Sequence, residues 1–314
     1  MRRRDFTLGL GAIGLLGACA ARPEGASDAP LLFAYFTTGK GEADGLKLAV
    51  SEDGFTFRTL AGGHSLLVPQ VGEKALMRDP FLLHDGSTYH LLWTTAWDGV
   101  TIGHATSTDL IHWSAQRAIA VMGDVPGTRN CWAPEAIYDA RARCYRIFWS
   151  STVEGRFSET GGTSESGYNH RLWYASTSDF QTFTSAQPLY DPGFSVIDGS
   201  FTRGRDGALY LIVKDETVAP PRKWLQVARA DSPTGPFGPL SPPFSPPWVE
   251  GPMCARIGDA TLCYYDIYKD GRWGAAMTRD MVHWDDVSAR LTMPTGARHG
   301  SLLRVPRALI AAIG

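Results

Sequence analysis

The sequence predicts an all-β fold, a five-bladed β-propeller in which one blade is shared between the N- and C-terminal strands. Three observations point there. The chain of 314 residues contains 34 Gly and 20 Pro, which interrupt helices rather than extend them. A turn motif recurs five times along it, and a second motif precedes the turns at matching intervals. No segment outside the first twenty residues shows a sustained 3.6-residue apolar period or a run long enough to span a membrane.

The N-terminus reads as an address rather than as part of the fold. Arg2, Arg3 and Arg4 precede Asp5-Phe6-Thr7-Leu8 and the apolar run Gly9 to Ala18, a pattern similar to a twin-arginine export signal over residues 1–18. Leu16-Gly17-Ala18-Cys19 also resembles a lipobox, in which Cys19 is lipidated and becomes the new N-terminus. Ordinary cleavage around Ala18-Cys19-Ala20 is the alternative. Either way the expected location is outside the cytoplasm, periplasmic or anchored to the membrane as a lipoprotein. Residues 19–30, rich in Ala, Pro, Glu, Gly, Ser and Asp, read as a solvated tether. The propeller is expected over 31–306, with 307–314 as a C-terminal tail.

The first repeat is a strand of small residues ending in Asp and followed by an aromatic. Its copies centre on Asp53 with Phe57, Asp109 with Trp113, Asp179 with Phe183, Asp231 with Phe237 and Asp280 with Trp284. A short polar Asp closes a turn on its own backbone, and the aromatic fills the gap to the next blade. The second repeat begins an apolar strand: Arg78-Asp79-Pro80, Trp132-Ala133-Pro134, Ile197-Asp198-Gly199, Glu250-Gly251-Pro252 and His299-Gly300-Ser301. Turns such as Asp85-Gly86 and Gly258-Asp259 then lead into second strands at Tyr89 to Thr95, Tyr145 to Ser151, Leu209 to Lys214 and Leu262 to Ile267. The last copy has a first strand and nothing after it, whereas the first Asp-turn lacks one. Joining strand 299–305 to Leu32–Thr37 completes a blade and closes the ring. Extra length between the copies at Ala133 and Asp198 falls in Val153 to His170, read as a wall of the site.

In a propeller the first strand of each blade lines the central channel, so aligned positions surround one axis. They are read as Asp79, Ala133, Asp198, Glu250 and His299. Three carboxylates and an imidazole at one funnel are costly to bury for structure alone, because like charges raise each other's proton affinity. Such a set points to chemistry. The formal net charge of −2 offers no basic surface for phosphates and argues against nucleic acid. Ten Trp and 11% aromatic residues suit blade packing or the stacking of sugar rings.

The ordered series Asp-Pro, Trp-Ala-Pro-Glu, Ile-Asp-Gly-Ser and Glu-Gly-Pro resembles the five-bladed propellers of glycoside hydrolase family 43, which cleave arabinose, xylose and related furanosides or pyranosides. Arg298-His299-Gly300-Ser301 is similar to the end of some members, and the likeness covers about residues 31–306. It implies Asp79 as general base, Asp198 as the carboxylate that orients and tunes the acid, and Glu250 as general acid. An inverting glycosidase needs that inventory: a protonated carboxyl for the leaving oxygen and an ionised one to activate water on the opposite face. Glu250 is then expected to keep its proton near neutral pH through repulsion from Asp198.

Other candidates follow from position. Arg78 beside Asp79 would hold the base ionised or point away along the strand. Trp97 and Trp132 offer faces for stacking on sugar or for core packing, and Glu135 would bond sugar hydroxyls or a structural cation. Arg298 adjoins His299. The resemblance puts His299 under the sugar, contacting a bound ion or a water, so that a structural calcium ion in the channel is allowed for while no cofactor is required. Family 32 fructan hydrolases share the Arg-Asp-Pro tripeptide, but their Asn-Asp-Pro-Asn-Gly and Glu-Cys motifs are absent. The expected activity is removal of arabinofuranosyl, xylosyl or galactofuranosyl-type units by an exported monomer that meets the membrane only through an N-terminal lipid. A glycoside phosphorylase and a non-catalytic sugar-binding propeller are the rivals.

Cysteines supply a test of strand register. With a two-residue turn at Gly258-Asp259, Cys254 faces Cys263 in one hairpin, paired as a disulfide or as two free thiols. In the corresponding hairpin of the earlier blade, Cys144 faces about Asp139 and Cys131 about Thr152, so these two do not meet.

Overall fold

A computed structural model describes residues 29–38 and 44–314. The export signal, Cys19 and most of the tether lie outside the described residues. Five antiparallel sheets form the five-bladed β-propeller that the repeats predict. The chain opens with β1 (Leu31–Thr37), β2 (Lys47–Ser51) and β3 (Arg58–Thr59), the outer three strands of blade 1. Blade 2 is β4 (Arg78–His84), β5 (Tyr89–Thr94), β6 (Ile102–Ser107) and β7 (Arg117–Ile119). Blade 3 is β8 (Trp132–Asp139), β9 (Cys144–Thr152), β10 (His170–Thr177) and β11 (Gln187–Tyr190). Blade 4 has β12 (Val196–Arg203), β13 (Leu209–Asp215) and β14 (Leu225–Ala230), and blade 5 has β15 (Glu250–Ile257), β16 (Ala260–Ile267), β17 (Arg272–Thr278) and β18 (Asp285–Asp286).

The ring closes as expected. Strand β19 (Ala297–Arg304) returns to blade 1 and pairs with β1, Leu32 opposite Leu303 and Ala34 opposite Ser301. Residues 307–314, expected as a tail, instead form the short helix α1 (Arg307–Ile313). It buries Ile310 and Ile313 against Leu32, Leu48 and Leu60. With only two turns, the apolar spacing of Ile310 and Ile313 was too short to register as a helical period.

Packing follows the blades. Five apolar clusters fill the gaps between neighbours, each drawing on two blades. Phe33, Phe57 and Tyr264 join blades 1 and 5, Trp93 and Leu48 join blades 1 and 2, and Trp149 and Ile102 join blades 2 and 3. The aromatics that follow the Asp-turns sit in these seams: Phe57 meets Tyr264 edge-on at 5.9 Å, and Trp284 stacks on Phe244 at 4.1 Å. In four copies the Asp closes the turn as predicted. The Oδ1 atoms of Asp53, Asp109, Asp179 and Asp280 each accept two backbone N–H groups two and three residues on. Asp231 departs from the pattern. There the Asp231 N–H bonds the Pro236 carbonyl, and the Ser232 hydroxyl accepts from the Thr234 N–H. Blade 4 also lacks a regular outer strand among the described residues, because prolines at 236, 239, 242, 243, 246 and 247 remove its donors. Gly238, Ser241 and Phe244 still donate N–H groups to β14 at intervals.

Cys254 does face Cys263, and both thiols are free. Cys144 faces Asp139 as read from the sequence, but a register shift between Trp132 and Glu135 moves the other end by one residue, so that Trp132 pairs with Ser150 and Cys131 meets the Ser151 hydroxyl at 3.8 Å rather than Thr152.

Candidate active site

Each inner strand starts with the same irregularity. The ladder skips two residues between Arg78 and Phe81, Trp132 and Glu135, Ile197 and Ser200, Glu250 and Met253, and Arg298 and Ser301. In four of these bulges the first skipped residue has positive φ: Asp79 at 52°, Ala133 at 48°, Asp198 at 53° and Gly251 at 61°. For a residue with a Cβ that conformation costs roughly 1–2 kcal/mol. The bulge re-aims the chain, so that residues on either side of it turn toward one end of the channel.

Geometry corrects the alignment in blade 5 by one residue. Gly251, not Glu250, is the counterpart of Asp79, Ala133, Asp198 and His299; Glu250 corresponds to Arg78, Trp132, Ile197 and Arg298. Gly251 is required there. A Cβ on it would lie 2.3 Å from the His299 ring, so the bulge position of blade 5 has no room for a side chain.

A cavity of about 530 Å³ opens where these strands begin. Arg78, Asp79, Trp97, Trp132, Asp198, Glu250, Arg298 and His299 all line it. Glu135 does not. It is buried beside Ser200, and burial pushes its carboxyl up to about 8. The loop expected as a wall does form one, through Ser164, Glu165, Ser166 and Tyr168.

The charges are arranged around His299. Its Nδ1 lies 3.2 Å from Asp79 Oδ1 and 4.0 Å from Asp198 Oδ2. Burial would strip the ring of its proton, but Asp198, Asp79 and Glu250 override it and raise His299 to about 9. The imidazolium acts back on Asp79. Burial alone would push that carboxyl up; the His299 bond and charge, Arg78, and the Thr94 hydroxyl at 2.7 Å hold it down at about 2. Asp198 goes the other way, to about 6, because burial outweighs His299 and Lys214 while Glu250 and Asp79 add repulsion. Its Oδ2 accepts the Gly251 N–H at 2.9 Å, tying blade 4 to blade 5.

Glu250 does not follow the expectation of a raised carboxyl. Burial favours the proton, but Lys214 Nζ at 3.3 Å from Oε2 and Arg298 Nη2 at 3.1 Å from Oε1 dominate, with Arg78 and His299, and its proton affinity falls below the ordinary value. Arg298 also bonds Asp266. Of the three carboxylates Glu250 is the most open, its side chain 18% exposed against 11% for Asp79 and 7% for Asp198.

Aromatic residues form one side of the mouth. Trp97 is 47% exposed, and the Arg78 guanidinium stacks on its ring at 4.5 Å and on Phe36 at 4.7 Å. Trp132 donates its indole N–H to the Trp97 carbonyl at 2.8 Å and packs on Tyr168 and His170, so Trp97 is the freer of the two for a sugar face. The mouth does not suit a cation: His299 is an imidazolium, and Arg78, Arg298 and Lys214 surround the carboxylates. No group of three potential metal ligands occurs among the described residues.

Sequence reading missed Thr94, Arg129, His170, Lys214 and Asp266. Three of them had a signal. Thr94, Lys214 and Asp266 are the residues opposite Arg78, Ile197 and Glu250 on the second strand of their blades, so the hairpin register that paired Cys254 with Cys263 also locates them.

Comparison with known proteins agrees with this geometry. The family described as "Probable glycosyl hydrolase domain", a group related to family 43, matches residues 29–309. An α-L-arabinofuranosidase of Bifidobacterium longum is 30% identical over 201 residues, 56% of this chain but only 18% of that protein's length. Among solved structures, a thermostable family-43 glycoside hydrolase superposes with a TM-score of 0.57 at 19% identity, over 71% of this chain and 78% of the other. The α-L-arabinofuranosidase from Lactobacillus brevis gives 0.54 at 16% identity (68% and 72%), and the native arabinanase of Bacillus subtilis 0.52 at 16% (72% and 81%). At these identities the superpositions establish the propeller; the family match over nearly the whole described chain establishes that this protein belongs to the family-43-related glycosyl hydrolases.

Proposed function

We propose that the chain is an exported inverting glycosidase that removes arabinofuranosyl, xylosyl or galactofuranosyl-type units from oligosaccharides or polysaccharide side chains. One observation supports this above the rest: three buried carboxylates from three inner strands meet in one cavity with different proton affinities. Asp79, ionised through His299 and Arg78, is the base that takes a proton from water as it attacks the anomeric carbon. Glu250, the most open carboxylate, protonates the leaving oxygen from the other side of the ring. Inversion calls for a gap of roughly 6.5–9.5 Å between these two carboxyls, wide enough for the water.

Glu250 is a carboxylate in the empty site and must gain its proton for this step. Sugar entry expels water from its open edge, which raises its proton affinity, and Asp198, protonated below about 6, is the neighbouring source. Trp97 offers a stacking face for the ring. The export signal over residues 1–18 and Cys19 supports placement outside the cytoplasm. Phosphorolysis is the less favoured course, since Arg298 is committed to Glu250 and Asp266 while Arg129 stacks on Tyr168.

A panel of nitrophenyl α-L-arabinofuranoside, β-D-xyloside and β-D-galactofuranoside, with and without inorganic phosphate, tests the reading. Release of nitrophenol from at least one, independent of phosphate, is expected. Inertness toward all three and toward arabino-oligosaccharides, or a strict need for phosphate, would overturn it.

A further inference from the structure

A line of alternating charges runs from Glu250 out to the wall loop. Glu250 Oε2 is 3.3 Å from Lys214 Nζ, which is 3.0 Å from Glu216 Oε2. Glu216 Oε1 is 2.6 Å from Lys223 Nζ, and Lys223 is 3.4 Å from Glu165 Oε2. Lys214 and Lys223 are fully buried, whereas the Glu165 side chain is 55% exposed. The line crosses three blades: Glu165 comes from the loop before β10, Lys214 is the second-last residue of β13, Glu216 and Lys223 lie in the loop between β13 and β14, and Glu250 starts β15. Two buried ammonium groups are a costly way to hold blades together, since apolar residues of similar size would do as well.

We propose that Lys214 is a positioning residue for Glu250, and that Glu216, Lys223 and Glu165 form a charge chain by which the wall loop sets the ionisation of that carboxyl. This rests on the reading of Glu250 as the acid. Lys214 does not line the cavity, so it acts on substrate through the carboxyls it faces, Glu250 at 3.3 Å and, by its charge, Asp198. The Tyr268 ring flanks its ammonium at 4.9 Å and keeps it from swinging away. The chain links the insertion in blade 3 to the reacting group: movement of Glu165 at the surface changes the partners left to Lys223, then Glu216, then Lys214. Glu250 also faces Arg298 and His299 from β19, Arg78 from β4, Asp198 from β12, Asp266 from β16 and Tyr268 beyond it. Of these, Asp198 and Tyr268 also feel the Lys214 charge, so Lys214→Met moves them together with Glu250, whereas Arg78, Arg298, His299 and Asp266 form the background common to every variant.

The alternation makes a signed test. Carbon-13 carboxyl NMR of the full chain, with Glu250 assigned by the resonance lost in Glu250→Gln, reads its titration directly. Lys214→Met should raise the Glu250 pKa by more than one pH unit, Glu216→Gln lower it, Lys223→Met raise it by less, and Glu165→Gln lower it by a few tenths of a unit. Lys214→Arg should restore most of the wild-type value, which a volume effect alone would not. The alkaline limb of kcat/KM should move in the same order. If Lys214→Met fails to fold, the exposed Glu165→Gln and the Lys214→Arg variant still decide the matter. A Glu250 titration that is unmoved in Glu165→Gln, or shifts whose sign does not alternate, would overturn the chain. Absence of turnover on every glycoside would instead overturn Glu250 as the acid, leaving the titration readable.

Discussion

The two ends of each blade are built on opposite terms. At the outer turns, Asp109 or Asp280 satisfies its own backbone within three residues, and the following aromatic settles into a seam between blades. Leu110 and Met281 take positive φ in these turns and the Trp113 and Trp284 indole N–H groups have no partner among the described residues, but the charges of Asp109 and Asp280 stay open to solvent. At the inner ends, Asp79, Ala133 and Asp198 sit at positive φ, and carboxylates lie buried against an imidazolium and two cations. Positive φ recurs at both ends of the blade, and what the inner ends alone add is charge removed from solvent where five strands meet. Clustered charge of this kind marks the site, because it persists only where the surrounding structure and a use for it maintain it.

The largest expected effect is on turnover at the inner end. Asp79→Asn and Glu250→Gln should each lower kcat/KM by about three orders of magnitude or more while leaving the melting temperature within a few degrees. Asp198→Asn should cost less and remove the pH dependence centred near 6. The sign of that dependence follows from the proton the step consumes: the active form is lost as pH rises through about 6, whereas Asp79 stays ionised until about 2. A kcat/KM that rises between pH 6 and 8 would contradict the assignment of Asp198 as proton source.

Gly251→Ala comes next. It forces a Cβ into the His299 ring, so activity should fall by at least tenfold with a smaller loss of stability; an unaffected variant would mean that the blade-5 bulge is misplaced. Removing residues 307–314 strips Ile310 and Ile313 from the seam of blades 1 and 2, a loss of about 2 kcal/mol for each side chain, and should lower the melting temperature without changing KM. The smallest contrast lies among the outer turns. Asp109→Ala should destabilise measurably and Asp231→Ala should not, since only the first closes its turn; equal melting shifts would show that the turn bonds add nothing.

The same contrast explains what was legible. Asp-turns and seam aromatics such as Phe57 and Trp284 are local and repeat with the blade, so their period exposed the ring, its closure by β19 and the hairpin register of Cys254 and Cys263. Asp79 and Asp198 were found because they fall at the same beat, and Glu250 because it lies one residue before it. The bulges were not legible, since Glu250-Gly251 fits the Asp-Pro pattern equally well one residue out of step, and only the clash of a Cβ with His299 decides between them. The hairpin register places Lys214 opposite Ile197, but its effect on Glu250 is made across blades, where no sequence period reaches. That contact also reversed the expected direction of the Glu250 carboxyl. Glu135, within the Trp-Ala-Pro-Glu motif, was left between a sugar contact and a structural ion pair, and its burial beside Ser200 was not legible in the motif.

Direct inversion by two carboxylates is the central claim, and the anomer first released tests it most closely. Proton NMR of a cleaved nitrophenyl glycoside, followed from the first minutes before mutarotation, should show the anomeric signal of inverted configuration accumulating first. A product that appears with retained configuration would contradict the account, placing a covalent sugar on Asp79 where it calls for an activated water.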